Sequence, residues 1–306
     1  MRSGASGPYP SAVPTTAAHA LRLRLGAGLP LVGDGSTPWA LEQRGFVLPV
    51  AIGPAAAIRE APDLLAQLHR DFVAAGVHVL RAETSHTTPR VLRRVGYEYR
   101  AAALTSRAVD IALEAAQESA TTVAVAGVLE PLAGRDAPDD TPMEAALHEE
   151  HAEQAERLRA AGADLVVVQG MTTLREAVAA VGAAASVGLP VVLSLAVGQD
   201  GKLLGGDDLA LTVSAARAAG AEIVCVEGGA IEQVDPIARR LGELGGAWGV
   251  IADVSARTSA RRLASFAARS RNRGAALLAG GAGFGPTEAR TVAGQLLAEE
   301  EERAPV

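Results

Sequence analysis

Three observations in the sequence predict an α/β fold, a single-domain (β/α)8 TIM barrel. Short runs of Val, Leu and Ala alternate eight times with segments of helical spacing. Five of those helical segments stop on a glycine just before the next strand, where a left-handed residue closes the last turn. The chain of 306 residues suits a barrel, which commonly occupies about 250 residues around one core.

The strands are expected at 29–33, 77–82, 122–128, 163–168, 190–196, 221–226, 248–252 and 275–279. Helical spacing covers 62–75, 89–118, 143–161, 174–187, 207–219, 231–244, 257–270 and 287–302. The glycine stops are Gly76, Gly162, Gly188, Gly220 and Gly274. Repeated right-handed units of this kind build either a closed barrel or an open doubly wound sheet, and eight of them favour closure.

Composition narrows the function. Hydrophobic residues make up 49% of the chain but aromatics only 3%, so the core is built from Ala, Val, Leu and Ile, as suits parallel strands buried on both faces. The net charge of −7 reads as spread along the chain without a basic block, which excludes a nucleic-acid footprint. A lone cysteine, Cys225, excludes an intrachain disulfide framework and a multi-cysteine metal cluster, and fits a reducing compartment. Residues 1–18, rich in Ser, Pro, Gly and Ala, have no apolar core of a signal sequence. They are expected to form a disordered tail ahead of the barrel at 19–306, in a cytoplasmic protein. No apolar run approaches the ~20 residues of a membrane span, so neither a membrane nor a nucleic acid is an expected partner, whereas a small-molecule substrate is.

Functional groups of a barrel gather where strands run into the following helices. Those positions are Asp34, Glu83 with Thr84 and His86, Glu130, Gln169, Ser194, Glu227, Asp253 with Ser255, and the glycine-rich 280–285. Carboxylates crowded at one mouth raise one another's pKa, so they call for a cation, an amine or a proton-transfer task. Asp34, Asp253 and Ser255 also suit helix N-caps, whereas Glu caps poorly. Cys225 shares a strand face with Glu227 and reads as a small hydrophobe beneath it. His86 follows the strand end and titrates near neutral pH. His148 and His151 lack the spacing of a metalloprotease helix and read as solvated surface.

At these residues the chain resembles the homocysteine S-methyltransferase family, from about Leu31 to Leu297. Val32-Gly-Asp-Gly-Ser-Thr-Pro-Trp-Ala-Leu-Glu-Gln-Arg-Gly45 is similar to the family's opening Asp-Gly, Thr and Leu-Glu-x-x-Gly pattern. Ala75-Gly-Val-His-Val-Leu-Arg-Ala-Glu-Thr84 is similar to its Ala-Gly strand ending in Thr-Asn-Thr, with Glu83 where Asn is usual. Val125-Ala-Gly-Val-Leu-Glu-Pro131 is similar to Ala-Gly-Ser-Ile-Gly-Pro, with Glu130 replacing a neutral residue. Ala161-Gly-Ala-Asp-Leu-Val-Val-Val-Gln169 matches a strand whose final glutamate holds the amino group of homocysteine in the family; here it is Gln169.

The resemblance implies a zinc-bearing barrel, a homodimer, and a zinc ion that turns the homocysteine thiol into a methyl-accepting thiolate. The three zinc cysteines would fall at Gly228, Gly281 and Ala282, which carry no ligand atom. No zinc cofactor is therefore expected. The remaining reading is a divergent, zinc-independent enzyme acting on a small cationic, amino-acid or sulfonium substrate by methyl transfer, elimination or C–S cleavage. Glu83, Glu130, Glu227, Asp253 and His86 would be catalytic, and Asp34, Gly35, Thr84, Gln169, Ser194 and Gly280 would bind substrate. Specialised biosynthesis is the expected setting. Three alternatives stay open: Mg²⁺ or Mn²⁺ on the carboxylates, a non-catalytic barrel that binds a small molecule or a partner chain, and a phosphate-substrate barrel using the 280–285 glycines.

Overall fold

A computed structural model of the chain describes residues 15–303. Eight parallel strands form one sheet in the order β1-β8-β7-β6-β5-β4-β3-β2. They are β1 Leu31–Val32, β2 Val79–Arg81, β3 Ala124–Leu129, β4 Leu165–Met171, β5 Val191–Ala196, β6 Ile223–Ala230, β7 Trp248–Asp253 and β8 Leu277–Gly280. A parallel bridge between Gly33 and Val79 joins β1 to β2 and closes the barrel. Each expected strand is present, its ends shifted by one or two residues except in β4 and β6, which run three and four residues further at their C-terminal ends.

The helices are α1 Thr16–Gly26, α2 Thr37–Gln43, α3 Ala57–Glu60, α4 Pro62–Ala74, α5 Pro89–Leu92, α6 Ala101–Gln117, α7 Glu144–Ala160, α8 Leu174–Ser186, α9 Leu209–Ala219, α10 Ile231–Glu243, α11 Ala260–Asn272 and α12 Pro286–Arg303. The five glycine stops all take positive φ, between 80° at Gly188 and 117° at Gly220, the conformation for which glycine was invoked. The helix expected over 89–118 is broken. Gly96 at φ 71° ends its first part, and 3-10 turns at Arg93–Val95 and Glu98–Arg100 separate α5 from α6.

Residues 15–18 correct the expected tail, most of which lies outside the described residues. Thr15 caps α1, its side chain accepting from Ala18 N, and Ala18 and Leu21 are buried. Leu21, flanked by Ala17 and Leu25, packs onto the lumen residues Leu31, Leu165 and Ile223, so α1 stoppers the N-terminal end of the barrel. The charge reading also needs correction, because Arg257, Arg261, Arg262, Arg269, Arg271 and Arg273 follow one another with no acid between. Two of them pair with the neighbouring helix, Arg262 with Glu232 and Arg273 with Asp235.

Side chains alternate along a strand, and here that alternation builds the lumen in layers. Leu31, Val79, Leu165, Val167, Ile223, Cys225, Ile251 and Leu277 form the apolar lower lumen. The next inward positions on the same strands are Arg81, Gln169, Glu227 and Asp253, which line the mouth. Apolar filler thus gives way to polar side chains within a few ångströms of strand. The outer faces of the strands and the inner faces of the helices form the main core.

Candidate functional site

The mouth holds a cleft of about 260 Å³ at the strand C-terminal ends. Its floor is Arg81. This side chain is buried, with Nε 2.7 Å from Asp34 Oδ1, while its backbone N donates to Asp34 Oδ2 at 2.9 Å. One terminal nitrogen donates to the carbonyls of Asp34, Gly35 and Gly280 at 2.8–3.1 Å, and the other to Gln169 Oε1 at 2.7 Å. Burial works against the Arg81 charge, yet the Asp34 carboxylate holds the guanidinium above its ordinary pKa.

The sequence reading asked for a positive partner from outside; the chain supplies two of its own. The second is Arg135, on the loop after β3, which pairs with Glu227 at 2.6 Å. Buried Glu227 also accepts from Ser194 Oγ at 2.5 Å, and Ser194 in turn accepts from Gly170 N at 2.9 Å. Irregularities in β4 between Val168 and Met171, and in β6 between Glu227 and Ala230, re-aim the strand ends next to Gln169 and Glu227, as bulges beside functional sites do.

Glu83, His86 and Glu130 form the third cluster. Glu83 Oε1 accepts from Ser85 Oγ at 3.2 Å and lies 3.7 Å from His86 Nδ1, beyond hydrogen-bond reach. Ser85 Oγ is 2.8 Å from the same His86 nitrogen. Burial disfavours the imidazolium, but Glu83 and Glu130 overcome it and raise the His86 pKa above the ordinary 6.5. The Glu130 carboxyl lines the cleft and has no hydrogen bond or ion pair among the described residues. Burial pushes its pKa up; His86 opposes this, and Glu83 and Glu227 reinforce it.

Gly228, Gly281 and Ala282, where the resemblance would place the zinc cysteines, carry no ligand atom. At Gly281 a Cβ would lie 2.1 Å from Asp253 Oδ1, and at Gly228 it would meet the Val197 carbonyl at 2.7 Å with φ at 132°. Asp253 thus occupies the space of a side chain at position 281. Its Oδ1 accepts from Ala282 N at 2.8 Å, so this residue holds the β8–α12 loop. Cys225 lies beneath Glu227 as expected, and burial pushes its thiol pKa up. Among the described residues no three His, Cys, Asp or Glu side chains assemble as a metal-ligand group.

The phosphate reading fails on its donors. In the 280–285 loop Gly280 N goes to Asp34 O, Gly281 N to Ala252 O, Phe284 N to Gly281 O, and Gly285 N to Glu288 Oε2. With Ala282 N on Asp253, the loop faces two carboxylates and has little left for an anion. Its glycines answer to packing instead: a Cβ on Gly283 would stand 1.7 Å from the Val254 carbonyl, and one on Gly280 1.9 Å from the Phe284 ring.

Of the expected substrate-binding residues, Gly35, Gln169 and Gly280 line the cleft, and so do Glu83, His86, Glu130, Glu227 and Asp253. Asp34, Thr84 and Ser194 are buried behind it. Thr84 ties β2 to β3 by accepting from Val128 N at 2.7 Å and donating to Val128 O at 3.2 Å. Neither Asp34, Asp253 nor Ser255 caps a helix; Ser36 and Ser259 cap α2 and α11. His151 is not surface: it is buried on α7 with Nε2 3.1 Å from Glu176 Oε1, which also accepts from Leu132 N. Arg81 was legible as an inward strand position two residues before Glu83, whereas Arg135 carried no signal.

The family model for homocysteine S-methyltransferase matches residues 31–296. Betaine–homocysteine S-methyltransferase 1 of Rattus norvegicus is 31% identical over 187 residues, which are 60% of this chain and 44% of the rat protein. The Xenopus tropicalis protein of that name is 31% identical over 218 residues, 70% of this chain and 52% of the relative. The chain therefore spans about half the length of these curated relatives. The metallated form of the homocysteine methyltransferase MmuM from Escherichia coli superimposes with a TM-score of 0.82 at 23% identity, over 90% of this chain and 99% of that one, a likeness of fold. With the family pattern matched across the whole barrel, this chain belongs to the homocysteine S-methyltransferase family.

Proposed function

We propose that the protein is a zinc-independent enzyme of this family that binds a small cationic substrate at the carboxylates of the mouth and uses Glu130 as general base. The observation that carries this reading is the Glu130 carboxyl, in the cleft and free of partners among the described residues, with its pKa raised by burial. A base of raised pKa accepts a proton more readily near neutral pH. Filled space at position 281 and the strained backbone at Gly228 support independence from thiolate-bound zinc.

Methyl transfer from a sulfonium donor is the reaction that the family relationship favours. An acceptor X–H gives its proton to Glu130 while X bonds to the methyl carbon. The S–CH₃ bond breaks with its electron pair going to sulfur, leaving a neutral thioether and a protonated Glu130. Because the donor's positive charge disappears along this path, Glu83 contributes to binding and proton removal supplies the rate. Elimination of the same sulfonium would use the same base on a carbon-bound proton.

Buried Cys225 suits a reducing cytoplasm, and a homodimer follows from the resemblance. Among the described residues no helix is long and apolar enough to cross a membrane.

The test is Glu130→Gln, with Glu83→Gln beside it, assayed with sulfonium donors and with metal content measured on the same sample. Turnover should fall by about 10²–10⁴ in E130Q with the fold intact and no stoichiometric zinc bound. A folded E130Q variant of undiminished activity would remove the proposed base and favour a binding barrel.

A further inference from the structure

We infer that the groove between α10 and α11, on the outer wall of the barrel, is a docking surface for an acidic peptide segment of a partner protein, held by Arg261 and Arg269. The groove has a volume of about 500 Å³ and shares no lining residue with the cleft of the mouth. Its α11 wall carries Arg261, Ser265 and Arg269, all exposed. They follow one another at i, i+4 and i+8, so they share one face of the helix.

The charges here are of two kinds. Arg262 pairs with Glu232 and Arg273 with Asp235, and these ion pairs join α11 to α10. Both acids of the groove are thus answered from inside the chain. The side chains of Arg261 and Arg269 have no hydrogen bond or ion pair among the described residues. Two guanidinium groups that the fold does not use therefore face an open groove, on a chain whose net charge is −7. A local reversal of sign selects an anionic partner and steers its approach.

Spacing and lining select the class of anion. Eight residues of helix set the two arginine backbones about 12 Å apart. In an extended peptide, residues i and i+4 lie about 13 Å apart on one face, so acids at those positions match both arginines. The residue midway between them points the same way. It meets a groove whose α10 wall includes the buried side chain of Ile231 and the ring of Pro236, where an apolar side chain fits. Duplex nucleic acid, with a charge every ~1.7 Å, would set many phosphates against Glu232 and Asp235 for the sake of two free cations. A lone phosphate has no use for the apolar wall.

The test uses the full chain and a rhodamine-labelled peptide, Gly-Glu-Ala-Leu-Ala-Glu-Gly, followed by fluorescence anisotropy beside a second peptide in which both Glu are Gln. The acidic peptide should bind saturably at about 0.01 M ionic strength and weaken toward about 0.15 M, as the Debye length falls from about 30 Å to about 8 Å. The Gln peptide should not bind. Arg261→Gln and Arg269→Gln should each weaken the acidic peptide about 5-fold, the upper range for one exposed ion pair. Arg290→Gln removes an exposed arginine of α12 that also has no partner among the described residues, and it should leave the affinity unchanged.

No binding of the acidic peptide at low ionic strength would overturn the inference. So would an R290Q effect as large as those of R261Q and R269Q, because the peptide would then sense net charge and not this groove. A short DNA duplex that binds more tightly than the peptide and is lost in R261Q and R269Q would reassign the surface to nucleic acid. Full displacement of the peptide by inorganic phosphate at matched ionic strength would reassign it to a lone anion. Either result overturns the peptide assignment. None of these measurements touches the mouth, so they stand or fall apart from the proposed function.

Discussion

The Arg81 guanidinium lies with its Nε 2.7 Å from Asp34 Oδ1 while the Arg81 backbone N donates to the other carboxylate oxygen, so one buried acid holds both the main chain and the side chain of one buried base. Removing one partner of such a pair strands the other charge away from water. Arg81→Met and Asp34→Asn should each cost about 3–5 kcal/mol in urea denaturation, and the double variant should cost less than their sum. Single variants as stable as the wild type would show that the pair is not fastening the floor.

Asp253 and the space above Gly281 give a second test. Gly281→Cys forces a side chain into the carboxylate and should cost about 1–3 kcal/mol without gaining stoichiometric zinc. Asp253→Ala relieves that clash, so G281C combined with D253A should be less destabilised than the two single effects added together. Thermal melts and metal analysis of the four proteins provide the check. Additive losses would mean that position 281 is not filled by Asp253.

His86 predicts a pH dependence. Its folded pKa is raised above the ordinary 6.5 by Glu83 and Glu130 against burial. Its contribution to stability is therefore complete below pH 6.5 and is lost as pH rises through the folded value. The stability advantage of the wild type over His86→Gln should be largest in mild acid and shrink above neutrality. An advantage that grows with pH would contradict the assigned direction.

His69 has the opposite sign. It is buried on α4 with both ring nitrogens unpartnered, and burial lowers its pKa to about 4. Unfolding lets it take up a proton, so its contribution is present above pH 6.5 and is lost as pH falls through about 4. The loss amounts to up to about 3 kcal/mol. His69→Leu should flatten the acid limb of the stability curve. His78, also lowered to about 4, leaves the rest of the slope in place, and an unchanged limb would count against the His69 assignment.

The fold was legible because its signals are local and repeated. Alternating apolar runs mark β3 to β8, and the glycine stops are closed by the glycines themselves, as at Gly220. The site was legible residue by residue but not in its pairings. Glu83, Glu130 and Glu227 were read as a ring of acids awaiting a cation, yet Glu227 already meets Arg135 across a loop with no fixed spacing. His151 looked solvated because its partner Glu176 lies on the next helix, 25 residues away. The α1 helix hid in a composition that also suits a tail, although Ala17, Leu21 and Leu25 make the stripe that packs on the barrel. What the sequence withheld is which charges are neutralised inside the chain, a property of contacts between distant residues.

The joint between β1 and β2 has a further consequence. Seven neighbouring strand pairs are zipped by at least two registered positions, but this one is a single bridge at Gly33 and Val79. Asp34 and Arg81 sit just above it, one from each side. The pair that floors the cleft is thus also the clasp on the thinnest stave of the barrel, so any excursion that parts this wall must first dismantle the place where a ligand rests. A ligand seated there tightens the hoop, and slower amide exchange at the β1–β2 edge should be the mark it leaves.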